Sequence, residues 1–151
     1  MPRKISKRYK KALELVEPGK RYSVAEAAGL VGKFPKAKFD ESIELAFKMT
    51  IDPRKTEQMI RGTVRLPHGS GKEVKAGRVE YKLDKGANIQ VLAGKSSFKP
   101  EQIAENAQTI IDAIIRAKPS ATKGRYIENC VLSSTMSPGI PLDLREILKA
   151  A

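Results

Sequence analysis

Apolar positions change period several times along this chain, and each period predicts an element. From Ser42 to Ile51 they recur every second residue. Ile43, Leu45, Phe47, Met49 and Ile51 share one face, while Ser42, Glu44, Ala46, Lys48 and Thr50 share the other. Successive side chains of an extended strand point to opposite faces, so this segment is a half-buried strand with one open face. Asp52-Pro53 ends it. Shorter strands are expected over Gly62 to Leu66, where Val79, Tyr81 and Leu83 alternate with Arg78, Glu80 and Lys82, and over Asn88 to Leu92 after the Asp84-Lys85-Gly86 turn. A last strand runs from about Arg125 to Ser134 and empties into Thr135-Met136-Ser137-Pro138-Gly139.

Helical spacing governs the remainder. Ile5, Tyr9, Ala12, Leu13 and Val16 follow the helical period until Pro18-Gly19 stops it. Ser23 is a good N-cap for a second helix, and Glu26 three residues later completes a capping box ahead of Ala27, Ala28 and Val31. Both apolar stripes are expected to pack on the core. Pro100 suits the first position of a third helix, whose stripe is Ile103, Ala107, Ile110, Ile111 and Ile114, and Lys118-Pro119 ends it. A short helix is expected in the tail from Pro141 to Ala151, through Leu142, Leu144, Ile147 and Leu148. Helices at both ends of the strands, with turns between most of the strands, predict an α+β fold. The expected form is a two-layer sandwich: a mostly antiparallel four- to five-stranded sheet with helices on one face, its edges and loops left free for a partner.

Charge then narrows the function. The 151 residues suit one domain with a real core, and 29 Lys and Arg against 17 Asp and Glu give a net charge of +12. Met1 to Lys11 alone carries six basic residues and no acidic one. Such an excess concentrates polyanions and releases their counterions on contact, so nucleic acid is the leading partner and an anionic membrane surface the competitor. The apolar runs are too short and too broken by charge to span a bilayer or form a signal peptide, which predicts a cytosolic protein.

Chemistry is poorly supplied. The single Cys130 excludes an intramolecular disulfide and a multi-cysteine metal site, and its apolar strand context predicts a buried, inert thiol. His68 is the only histidine and sits in a loop beside Pro67 and Gly69, where a catalytic role would need a nucleophile and an orienting partner. Gly69 to Lys72 lacks the spacing of a phosphate loop. Asp40 and Glu41 point to opposite sides if extended, so they form no acid pair. No catalytic residue, metal or cofactor is expected, and the chain is predicted not to be an enzyme.

Several segments carry a family pattern. They are Lys7-Arg8-Tyr9, Ala37-Lys38-Phe39-Asp40-Glu41-Ser42, Ile51-Asp52-Pro53-Arg54-Lys55, and Arg61-Gly62-Thr63-Val64-Arg65-Leu66-Pro67-His68-Gly69 with Gly71-Lys72. The other half supplies Lys75-Ala76-Gly77-Arg78-Val79-Glu80-Tyr81, Gly94-Lys95-Ser96-Ser97-Phe98 and Ser134-Thr135-Met136. In this order, over nearly the whole chain, they resemble the L-one family of large-subunit ribosomal proteins. Family members pass from the Gly71-Lys72-Glu73-Val74 region into a second α/β domain and return through the Lys75-Ala76-Gly77-Arg78 region. Here those regions are directly fused. The resemblance therefore implies one RNA-binding domain over 1–151, built from halves 1–75 and 76–151, with the middle domain missing at a seam near Lys75. Either the domain was excised by engineering or the truncation is natural; a seam this clean, at a boundary few contacts cross, favours engineering.

The resemblance further implies a partner. It is a folded element of large-subunit ribosomal RNA at the base of the mobile stalk, near the transfer-RNA exit site. A similar structure on the protein's own messenger would make it a translational repressor, and the free protein would be a monomer. RNA is recognised by shape, by 2′-hydroxyl and phosphate contacts and by stacking on exposed bases. By resemblance the recognising face comprises Lys38, Phe39 and Ser42 with Asn129, Ser133, Thr135, Met136 and Ser137. A polar end of Ser133-Ser134-Thr135 is unusual for a core strand, whereas Phe39, between helix and strand, could equally be core. Thr135 is expected to carry specificity through a hydroxyl that both donates and accepts, and Met136 to act by apolar contact. Ser137 stands where the family commonly has Gly, which would permit close approach or a positive φ. Arg3, Lys4, Lys7, Arg8, Arg54, Lys95 and Lys123 are expected to meet phosphates, which positions a protein without specifying sequence. The alternative is a generic polyanion or membrane-surface binder that uses the basic arm and shows no preference for structured RNA.

Overall fold

A computed structural model of the chain describes residues 5–55, 58–71, 77–120, 122 and 124–145. The seam near Lys75, and most of the helix expected after Pro141, lie outside these residues. The elements in order are α1 (Lys7–Glu14), α2 (Val24–Lys33), β1 (Ser42–Met49), β2 (Arg61–Arg65), β3 (Arg78–Lys82), β4 (Asn88–Lys95), α3 (Pro100–Arg116), β5 (Ile127–Ser134) and β6 (Ile140–Pro141). Local chemistry sets the helix starts. The Ser6 hydroxyl accepts from the Tyr9 amide, Ser23 and Glu26 form the expected capping box, and Pro100 opens α3 with Glu101 in its first turn. Acid at the positive N-terminal end of a helix, and Arg116 at the other, suit the helix dipole.

β1 is the centre of a four-stranded antiparallel sheet of order β4-β1-β5-β6. Its alternation does what the sequence predicts: Ile43, Leu45, Phe47 and Met49 are at most 2% exposed. Ile103, Ala107, Ile110, Ile111 and Ile114 of α3 and Ala27, Ala28 and Val31 of α2 belong to the same buried cluster, which gives an α+β arrangement of helices on one sheet face. That cluster draws side chains from both sides of the seam, from Ala12 to Leu144. The two ends of the chain also meet. The Tyr22 amide donates to the Pro141 carbonyl and the Asp143 amide to the Tyr22 carbonyl, at 3.0 and 2.9 Å.

Two expectations change. The strands do not form one sheet: among the described residues β2 and β3 pair with each other as a separate ribbon, joined to β4 by a Leu83–Ile89 bridge. Two-stranded ribbons twist more strongly than sheets, and β3 stays paired with β2 rather than running along the β4 edge. The stripe of α1 is also mostly outside the core. Ala12 is buried and Val16 packs partly, but Ile5 is 50% and Leu13 47% exposed. Arg8, on the docked side of α1, reaches Glu41 instead.

Candidate nucleic-acid interface

The open face of the sheet ends at a corner where three chain segments meet. Ser42 begins β1, with Lys95 of β4 on one side and Thr135, just past β5, on the other. Lys95 Nζ donates to Ser42 Oγ at 3.1 Å. The Thr135 amide donates to the Ser42 carbonyl at 3.0 Å, and the Ser42 amide donates to Thr135 Oγ1 at 3.0 Å. The Thr135 hydroxyl donates in turn to the Ser42 carbonyl at 3.3 Å. This corrects the view of Thr135 as a free donor and acceptor. Its hydroxyl extends the β1–β5 ladder by one step and keeps one lone pair for a partner.

Ser137 is similarly engaged. It closes the turn after β5, its hydroxyl accepting from the Ser134 amide at 3.0 Å and lying within donating reach of the Pro138 carbonyl at 3.3 Å. No positive φ is needed there: Ala87 is the one non-glycine residue in that region among the described residues. Ser in place of Gly is therefore accommodated without strain.

The corner is held by Asp40 and Glu41, to which the sequence assigned no role beyond forming no acid pair. Glu41 is 4% exposed. It accepts from Ser134 Oγ at 2.6 Å, the Ala37 amide at 3.0 Å, Arg8 at 3.2 Å and the Met136 amide at 3.3 Å. Burial pushes its carboxyl up, but the hydrogen bonds from Ser134, Met136 and Ala37 and the Arg8 charge outweigh this, leaving it below its ordinary value. Asp40 turns the other way, as expected for neighbours on an extended chain. It accepts from both Ser96 Oγ and Ser97 Oγ and from the Ser97 amide, and these bonds, that from Ser96 first, hold its carboxyl low. The signal in the sequence is two adjacent acids at a strand start, with Ser-rich segments at 96–97 and 133–134.

Around this frame the apolar groups face water. Phe39 is 54% and Met136 52% exposed, so Phe39 is not a core residue, and Lys38 beside it is exposed as well. Ser133 and Asn129 lie opposite Glu44 and Lys48 on the open face, and thus share the surface that ends at Thr135. Asn129 is six residues from Thr135, about 20 Å along the strand, so it belongs to the face rather than the corner. Lys7 is exposed on α1, while Arg8 is committed to Glu41. Arg54 follows the far end of β1 and is separated from the corner. Arg3, Lys4 and Lys123 lie outside the described residues.

Elsewhere the polar groups serve packing. Burial pushes the Cys130 thiol up to about 12, the state of an inert group. His68 pairs with Glu105, and the fully buried Asn106 accepts from the His68 amide while donating to the Gly69 and Ala93 carbonyls. Among the described residues no cluster of His, Cys, Asp and Glu is placed to hold a metal, and no helix is long and apolar enough to cross a membrane.

Fold and surface together define a basic α+β domain with an open sheet face and a braced polar corner. The sequence model of the "Ribosomal protein L1p/L10e family" matches residues 31–76 and 72–138, and the chain belongs to that family of structural, non-enzymatic proteins. The "Large ribosomal subunit protein uL1" of Clavibacter michiganensis subsp. michiganensis is 29% identical over 225 residues, covering 94% of this chain and 99% of the relative. The protein of the same name from Clavibacter sepedonicus gives the same figures, and that from Leifsonia xyli subsp. xyli is 29% identical over 94% of this chain and 98% of its own. An alignment of 225 positions on a chain of 151 residues contains a long stretch that the relative has and this chain lacks. The two family matches meet at residues 72–76.

Proposed function

We propose that this chain is the RNA-binding domain of a cytoplasmic large-subunit ribosomal protein, its halves 1–75 and 76–151 joined where the family's middle domain is missing. It binds large-subunit ribosomal RNA at the stalk base near the transfer-RNA exit site, and the same surface binds its own messenger to repress translation. The observation that carries this reading is the corner itself. Met136, whose amide is held by the buried Glu41, and Phe39, two residues before Glu41, are both more than half exposed at the corner formed by Ser42, Lys95 and Thr135. Exposed apolar groups fixed among hydroxyls and cations suit bases to stack on and 2′-hydroxyls to bond. Two matches meeting at 72–76, and one apolar cluster built from both halves, support the excised middle domain.

The test is affinity for the stalk-base fragment of ribosomal RNA against an unrelated hairpin of equal length, over a range of salt. A preference for the stalk base is expected, with one cooperative melting transition for the free monomer. Equal affinity for both RNAs at every salt concentration would refute the assignment, and two resolved melting transitions would refute the fused single domain. One observation favours a second reading: Ile5, Leu13 and Leu15 are exposed on the segment that carries Lys7, Lys10 and Lys11. Such a face suits an anionic membrane surface. Binding to phosphatidylserine vesicles as tight as to the stalk-base RNA would decide for it.

A further inference from the structure

The ribbon of β2 and β3 carries an arrangement that the corner does not explain. On its exposed face Arg61 stands opposite Lys82 and Arg65 opposite Arg78, with Thr63 opposite Glu80 between them. Like charges directly opposite one another weaken an antiparallel pair. Among the described residues none of these four cations has a carboxylate partner. Charge on an unpaired ribbon does discourage association with other strands. Acid facing base would serve that purpose equally and would stabilise the pairing, so edge protection does not account for cation facing cation. An external anion does.

The neighbourhood extends the pattern. The groove between ribbon and sheet is lined by Arg61, Thr63 and Lys82 and by Asn88 and Gln90 of β4, whose amides can donate; Glu80 and Asp84 are its acids. Lys82 and Lys85, with Asp84 as the acid, share a second depression with Pro53. Arg65 and Arg116 line a third depression, with Asp112 as its acid.

We propose that the β2–β3 ribbon is a second RNA-contacting surface, a track for phosphates lying across the open face from Thr135. This rests on the RNA-binding reading above. β4 and β5 flank β1, so about 10 Å of sheet lies between β5 and the ribbon side, and the Lys48–Asn88 row lies about 20 Å along the strands from the corner. A folded RNA seated on the corner reaches the ribbon by crossing Asn88, Gln90 and Lys48, all on the open side. Arg is suited to the role because its planar guanidinium meets a phosphate with two parallel hydrogen bonds. The ribbon supplies binding strength and orientation, and the corner supplies discrimination.

The test is a pair of double substitutions, Arg65→Gln with Arg78→Gln and Arg61→Gln with Lys82→Gln, measured on the stalk-base RNA. Each removes one like-charge pair and no ion pair, so each protein should melt no lower than the parent. If one pair destabilises the fold, the other gives the same readout from the opposite end of the ribbon. Losing two phosphate contacts should flatten the slope of log affinity against log salt by about 1.4–1.8, a loss of roughly 25- to 60-fold at about 0.1 M salt. The ratio of stalk-base to unrelated RNA should stay unchanged, and Arg65→Lys with Arg78→Lys should keep the slope. Unchanged slopes in both double variants would overturn the ribbon and leave the corner standing. A loss seen on phosphatidylserine vesicles but not on RNA would overturn it too. If the parent protein shows no preference for the stalk base, the functional reading falls, while a flattened slope still upholds the ribbon as an RNA-phosphate surface.

Discussion

Glu41→Gln is the perturbation that most directly probes how the corner is held. The substitution keeps the shape of the side chain and replaces one carboxylate oxygen by an NH2 group. One oxygen now accepts from Arg8 and the Ala37 amide, the other from Ser134 and the Met136 amide. Whichever way the new amide turns, its hydrogens face a backbone N–H. Ser134 can rotate its hydroxyl to accept; the Met136 and Ala37 amides cannot. A donor stranded at this part-buried site costs about 1–3 kcal/mol, and the surviving bonds lose their charge assistance, so a total of roughly 2–4 kcal/mol is expected. At about 2–4 °C per kcal/mol for a chain of this size, the melting temperature should fall by about 4–16 °C.

The pH dependence adds a sign. The folded-state carboxyl titrates below its ordinary value of 4.5, so its stabilisation is fully present above that value and is lost as pH falls through the lower folded one. The gap between the parent protein and Glu41→Gln should therefore be widest near neutrality and shrink below about pH 4.5, measured by urea melts across that range. RNA affinity should fall as well, because the turn carrying Met136 loses its anchor. If Glu41→Gln lies within about 0.5 kcal/mol of the parent at neutral pH, or if the gap does not narrow on acidification, the proposed anchoring is wrong.

Thr135→Val should now cost stability as well as affinity, about 1 kcal/mol in a denaturant melt for the bond from Ser42 and about 10- to 100-fold in binding to stalk-base RNA, while Thr135→Ser restores both. Wild-type affinity in a folded Thr135→Val protein would remove Thr135 from the site. Met136→Ala, at a half-exposed position, should leave the melt within about 0.5 kcal/mol and lower affinity without changing the salt slope. Asn106→Leu leaves three backbone groups without their partner, those of His68, Gly69 and Ala93. It should destabilise by about 3 kcal/mol or more, with hydrogen exchange quickened first at the 66–71 loop. Cys130, with its thiol pushed up to about 12, should resist alkylation at pH 8 until the protein unfolds; rapid labelling of the native state would contradict its burial.

Much of the architecture follows from local pattern. Alternation over residues 42–51 determines which face of β1 is apolar, because the pleat sends neighbouring side chains to opposite sides. The stripe from Ile103 to Ile114, opened by Pro100, determines α3 and its buried face, and Ser23 with Glu26 determines where α2 starts. The polar strand end at 133–135 is likewise legible in the sequence. What pattern could not supply is partnership. The α1 stripe has helical spacing, yet it stays largely exposed because the docked side is chosen by Ala12 and by Arg8 meeting Glu41. The β2–β3 pair reads as part of one sheet, yet beyond the Leu83–Ile89 bridge it pairs within itself. Thr135 bonds to Ser42 across 93 residues, and Glu41 reaches Met136 across 95. Periodicity reports only which face of an element is apolar. Which donor meets which carboxylate depends on strand register and on how loops far apart in the chain converge, and those are fixed only when the whole core packs.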